Sequence, residues 1–154
     1  MKYQRTAFTL VELLIIVTFL GVIAFIAVPR LNFALITKEK AETEAWKIAT
    51  DLRLARRLAI SDAANNTKGF ELTLVGAVPY RRYEINNVDT HATILSQTID
   101  SDVSISNPTG MRFSFGPLGS LGTASATQLI VSGRGKTFTI TVNSATGTVK
   151  CVEN

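Results

Sequence analysis

Twenty-one consecutive residues, Phe8 to Val28, read FTLVELLIIVTFLGVIAFIAV and carry one charge, Glu12. As a helix rising about 1.5 Å per residue the run extends about 31 Å, enough to cross a bilayer core of about 30 Å. It is longer than the apolar part of a cleaved signal peptide, about 7–15 residues. Pro29-Arg30 follows directly, without a small-residue cleavage site. The run therefore predicts a membrane-spanning helix that stays on the protein. Glu12 stands out against that background. A carboxylate costs about 2.5–3.5 kcal/mol at the centre of a membrane helix and less near its end, where it can reach the headgroups. Deeper in an apolar environment it needs a partner, and the span supplies none. Lys2 and Arg5 lie seven or more residues upstream. Because Arg30, Lys38 and Lys40 follow the span, the distribution of positive charge does not decide its orientation.

The whole chain, at 154 residues, has room for one modest domain. Charged residues make up 18%, below the roughly 25% typical of soluble proteins. From Arg30 to Asn154 there are 14 basic and 11 acidic residues, so this part is only mildly basic. A single cysteine, Cys151, excludes an intrachain disulfide and a cysteine-based metal cluster. A single histidine, His91, excludes a two-histidine metal site. No metal or cofactor is expected.

Pro29 kinks or starts a helical segment. Leu31 to Asp62 has neither Gly nor Pro, and Ala45, Ile48, Ala49, Leu52, Ala55 and Ala59 recur at three- and four-residue spacing. This is one amphipathic face, widened by Leu54 and Leu58. Arg53, Arg56 and Arg57 read as a solvated face. Residues 63–69 form the loop that ends the helix. Strands are predicted at Phe70–Leu74, Tyr80–Ile85 (as an edge), Thr93–Ile99, Val103–Ser106, Met111–Phe115, Gln128–Ser132, Thr137–Val142 and Thr148–Val152, the last two forming a hairpin. The fold class is α+β, a long N-terminal helix with a membrane-spanning first half, packed on an antiparallel β-sandwich-like head. Its divisions are 8–29, the transmembrane and assembly helix; 30–62, the amphipathic second half; and 63–154, the head.

No catalytic constellation emerges, and the chain is not expected to be an enzyme. Gly135-Lys136-Thr137 ends like a phosphate-binding loop, but Ile130 stands where the first glycine belongs and a strand follows. Gly116, Gly119 and Gly122 lack the strand–turn–helix setting of a dinucleotide site and predict a mobile loop. His91 near Asp89 has no nucleophile placed with it. Cys151 reads as buried filler, and Asp100 and Asp102 as turn residues. Arg134, Lys136 and Lys150 fall on the terminal hairpin and its entry loop, with Arg112 as a further member. Together they are a candidate DNA contact, with Lys136 facing Lys150 if the register allows. Three or four phosphate contacts would bind duplex DNA weakly, with a salt slope of about −0.9 per neutralised phosphate.

Arg5-Thr6-Ala7 followed by Phe8-Thr9-Leu10-Val11-Glu12-Leu13-Leu14 resembles the signal of type IV pilins and type II secretion pseudopilins. The resemblance implies a leader, residues 1–7, cut by prepilin peptidase between Ala7 and Phe8, and N-methylation at Phe8. Glu12 is then fifth and Pro29 twenty-second in the mature chain, in the family's register. Ala7 replaces the family's usual Gly, a small change expected to leave cleavage intact. In the family the Glu meets the methylated amine of a neighbouring subunit, which makes assembly depend on register. Asp51 to Ile60 and Gly147-Thr148-Val149-Lys150 are similar to the GspH/FimT group. The function implied is a minor pseudopilin of a type II secretion system or a type IV pilus-like filament. The alternative is a FimT-like minor pilin that binds DNA for natural transformation. Implied partners are prepilin peptidase, other pseudopilins or minor pilins, an inner-membrane assembly platform, the membrane before assembly, and DNA in the alternative. The implied location is the inner membrane, single-pass with the head in the periplasm, and then a periplasmic or surface filament.

Overall fold

The computed structural model describes residues 9–27, 33–107, 109–133 and 135–154. The chain divides into two compact units, Met1–Phe33 and Ala34–Asn154.

In the first unit, helix α1 covers Leu10–Ala27. Thr9 caps it: the Glu12 N–H donates to Thr9 Oγ1 at 3.3 Å and to the Thr9 carbonyl at 3.1 Å. Thr9-x-x-Glu12 is the sequence pattern of a capping box, which explains why the helix starts there.

Two expectations are corrected here. The chain does not form one long N-terminal helix with a membrane-spanning first half. It forms α1 and a separate helix α2, Phe33–Ser61, and among the described residues no helix is long and apolar enough to cross a membrane. The single-pass inner-membrane anchor bearing a periplasmic head is corrected with it. The reason is length and composition. The apolar run is 21 residues, but α1 takes only 18 of them, about 27 Å against a core of about 30 Å. The longer α2 carries charges throughout.

The second unit, the head, contains α2 from Ala34 onward and eight strands among the described residues: β1 (Phe70–Val75), β2 (Arg82–Asn87), β3 (Thr93–Thr98), β4 (Ser104–Ser106), β5 (Arg112–Phe115), β6 (Gln128–Gly133), β7 (Lys136–Val142) and β8 (Val149–Glu153). They form two antiparallel four-stranded sheets, β3-β2-β1-β5 and β4-β6-β7-β8. The terminal hairpin β7–β8 forms as predicted, with Val142 opposite Val149. The Tyr80–Ile85 prediction differs. Its strand begins at Arg82 and lies inside a sheet, paired with β1 on one side and β3 on the other, with Tyr83 and Ile85 buried.

Alternation sets the faces of the sheets. Phe70, Leu72 and Leu74 of β1 are buried, as are Leu129 and Val131 of β6 and Phe138, Ile140 and Val142 of β7. With Ala41, Ala45, Ile48, Ala49, Leu52, Ala55 and Ala59 of α2 they make one apolar cluster. The alanines let the helix backbone approach closely. Polar ties hold α2 to both sheets. Tyr83 on β2 donates its hydroxyl to Asp51 at 2.6 Å, and Arg53 donates to the Val149 carbonyl on β8 at 3.2 Å. Asn66, buried after the helix, is satisfied by Gly69. Its Nδ2 donates to the Gly69 carbonyl and its Oδ1 accepts the Gly69 N–H, both at 2.7 Å.

Candidate assembly site

The surface of α1 is apolar all round. Twelve large side chains, from Leu10 at 80% exposure to Phe25 at 82%, face solvent. Thr18 adds little polarity, because its hydroxyl bonds back to the Leu14 and Ile15 carbonyls at 3.0 and 2.9 Å. Gly21 has open space around its Cα. Glu12 is then the charged group of α1, exposed in its first turn. A carboxylate there is favoured by the helix dipole, by about 0.3–1 kcal/mol. Thr9 as cap and Thr18 as an internally satisfied hydroxyl were missed in reading the sequence. The Thr-x-x-Glu spacing signals the first, and the i−4 position of a carbonyl signals the second.

Ala7, Phe8, Pro29 and Arg134 lie outside the described residues. The remaining basic candidates do not converge. Arg112 begins β5, in one sheet, while Lys136 and Lys150 belong to the other. Lys136 does not face Lys150. It sits opposite Gly133, and Lys150 sits opposite Thr141. The Lys136 ammonium is held by Glu153 at 3.2 Å and Glu42 at 3.3 Å, lies 5.7 Å from the Phe138 ring centre, and has its pKa raised by hydrogen bonds to those two carboxylates. Its charge is already neutralised within the head. Lys150 and Arg112 are exposed.

Of the helix arginines, Arg53 and Arg56 serve the fold, and Arg57 is exposed. Arg56 Nε donates to the Gly119 carbonyl at 3.1 Å. The glycine-rich loop is hydrogen-bonded: Gly119 N–H reaches the Gly116 carbonyl at 2.8 Å, and Leu121 N–H the Ser144 carbonyl at 2.9 Å. Asp100 and Asp102 both hold Lys40, at 3.0 and 2.8 Å, so this chain's own lysine takes the place of a cation. Asp89 is committed to Lys68, whose backbone N–H at 3.1 Å is the main cause of its lowered pKa, and so does not pair with His91. His91 instead lines an open cleft of about 390 Å³ with Glu71, Glu84, Asn86 and Arg112 on the outer face of the first sheet. The Cys151 thiol is half-buried, with its pKa pushed up by that burial. Gly135-Lys136-Thr137 leads into β7 rather than a helix. Among the described residues no three His, Cys, Asp or Glu side chains are grouped to hold a metal.

Comparison with protein families, curated proteins and solved structures finds no match to this chain.

Proposed function

We propose that this chain is a minor pilin-like subunit, of a type II secretion pseudopilus or a type IV pilus-like filament, that assembles through α1. The observation that carries the reading is a helix apolar around its whole circumference, exposed, with one carboxylate in its first turn. Such a helix is covered in its working state. A bundle of like helices from neighbouring subunits covers it, and Glu12 supplies the one polar contact that selects a register. The resemblance of Arg5–Leu14 to the pilin signal implies the partner group, the methylated amine that cleavage before Phe8 would leave on the adjacent subunit. A carboxylate and an amine in a low-dielectric bundle attract strongly, and either one alone is destabilising there. The role is structural, with prepilin peptidase and other pilin-like subunits as partners.

Two measurements test it. The intact mass of the protein from its native cell corresponds to a chain that starts at methylated Phe8. A chain starting at Met1 refutes processing. The Glu12→Ala variant is processed normally but is depleted from filaments. Normal incorporation refutes the assembly role.

The DNA-binding alternative has weaker support. Lys136 is neutralised by two carboxylates, and Arg112 lies in the other sheet from Lys136 and Lys150.

A further inference from the structure

Two open sheets leave four edges, and a free edge offers unpaired N–H and C=O groups to another chain. Three of the four are covered, short or charged. Along β5, Ala126 N–H reaches the Arg112 carbonyl at 2.7 Å, Gly122 N–H reaches the Ser114 carbonyl at 2.8 Å, and Ser125 Oγ accepts the Ser114 N–H at 3.0 Å. The edge strand β4 is three residues long, and its Ile105 carbonyl accepts the Tyr80 N–H at 3.4 Å. At the β8 edge stand Lys150 and Glu153, and the Val149 carbonyl is taken by Arg53.

Among the described residues, the β3 edge has none of these guards. Its six residues, Thr93 to Thr98, read TILSQT, without charge or proline, and Ile94 is 51% exposed. The free groups are identified by register. The Ile99 N–H donates to the Arg81 carbonyl at 2.9 Å, so that pair is a hydrogen-bonded one. Antiparallel alternation then turns the peptide groups of Thr98 and Ser96 away from β2. A register shift at Ile85/Asn86 leaves Ile94 as the extra residue, with no partner on β2.

We propose that β3 is a pairing edge for a second copy of this chain, antiparallel about a two-fold axis through Ser96. In this register Ser96 meets its own counterpart, Ile94 meets Thr98 of the partner subunit, and Leu95 meets Gln97 of the partner subunit. Self-pairing fits because an uncharged strand brings no like charges opposite each other in any register. Ile opposite Thr is a favourable β-branched pair, formed twice by the symmetry. The two strands close each other's edge and merge two four-stranded sheets into one. The contact uses head residues alone and does not depend on the role of α1.

The test uses the full chain with Cys151→Ser and Ser96→Cys under mild oxidation. Hydrogen-bonded antiparallel partners have Cα atoms about 5.5 Å apart, within the span of a disulfide. Thr141→Cys in the same background is the control, since it is exposed on β7 between two paired strands. The expected result is about tenfold more covalent dimer from Ser96→Cys than from Thr141→Cys, and about a tenfold loss on adding Ile94→Lys. Ile94→Lys separates pairing through β3 from association through α1, which that substitution does not touch. Equal dimer from the two positions, or no effect of Ile94→Lys in a chain whose circular dichroism is unchanged, overturns the proposal.

Discussion

Gly147→Ala is expected to destabilise the head by roughly 3–5 kcal/mol. Gly147 has φ +65, a left-handed conformation that strains an L side chain by about 1–2 kcal/mol. An added Cβ falls on the Gly119 carbonyl oxygen and within 3.0 Å of Arg56 Cδ. Neither neighbour yields easily. Moving Gly119 breaks its carbonyl's hydrogen bond from Arg56, worth about 0.5–1.5 kcal/mol. Moving the Gly147 turn breaks the 2.8 Å bond from its N–H to the Asn143 carbonyl. Overpacking of this kind costs about 1–3 kcal/mol. The assay is urea unfolding of the head, residues 34–154, which contains the buried core found among the described residues. With a denaturant slope of about 2 kcal/mol per molar, the midpoint falls by about 1.5–2.5 M. Arg56→Ala opens space beside the new methyl group, so the double variant is less destabilised than the two singles added together, by about 0.5–1.5 kcal/mol. A loss below about 1 kcal/mol, or strict additivity with Arg56→Ala, refutes the close approach of these two turns.

Three further outcomes follow from the head. Tyr83→Phe removes the 2.6 Å bond to Asp51 and lowers stability by about 1–2 kcal/mol, measured by denaturation at pH 7. Burial and then Asp51 push the Tyr83 phenol up, so the folded head holds that proton more tightly than the unfolded chain. Its contribution is complete below about pH 10 and is lost as the pH rises from there towards the folded value, a slope that Tyr83→Phe abolishes. Burial also raises the Glu44 pKa, and its Oε2 is buried without a hydrogen-bond partner. The stability linked to this proton is present below about pH 4 and lost as the pH rises through the folded pKa. Glu44→Gln therefore stabilises the head at pH 7 relative to pH 4, and unfolding midpoints at the two pH values check the sign. Finally, duplex DNA titrated with the head across a salt series shows no saturable binding that Lys136→Ala removes, because Glu42 and Glu153 already hold that ammonium. Binding lost in Lys136→Ala at unchanged stability overturns this.

The sequence alone determined what depends on neighbours a few residues away. Period-two alternation in Thr137–Val142 and three-to-four spacing in Ala45–Ala59 located β7 and the buried face of α2, because backbone geometry converts spacing directly into facing. The apolar run and Glu12 were equally plain. The length of helix drawn from that run was not: the described α1 covers 18 of its 21 residues and begins after the Thr9 cap. Only tertiary structure decided which distant groups meet. Lys136 and Glu42 lie 94 positions apart, and nothing local marks them as partners. Lys136, Lys150 and Arg112 look like one basic set along the chain, but sheet order and register separate them. Gly147 and Gly119 are brought together by packing, and β3 rather than β2 becomes the edge because strand order is a property of the whole sheet. Spacing along a strand or helix is written in bond geometry, whereas pairing across the fold is settled by the burial of all the apolar faces together.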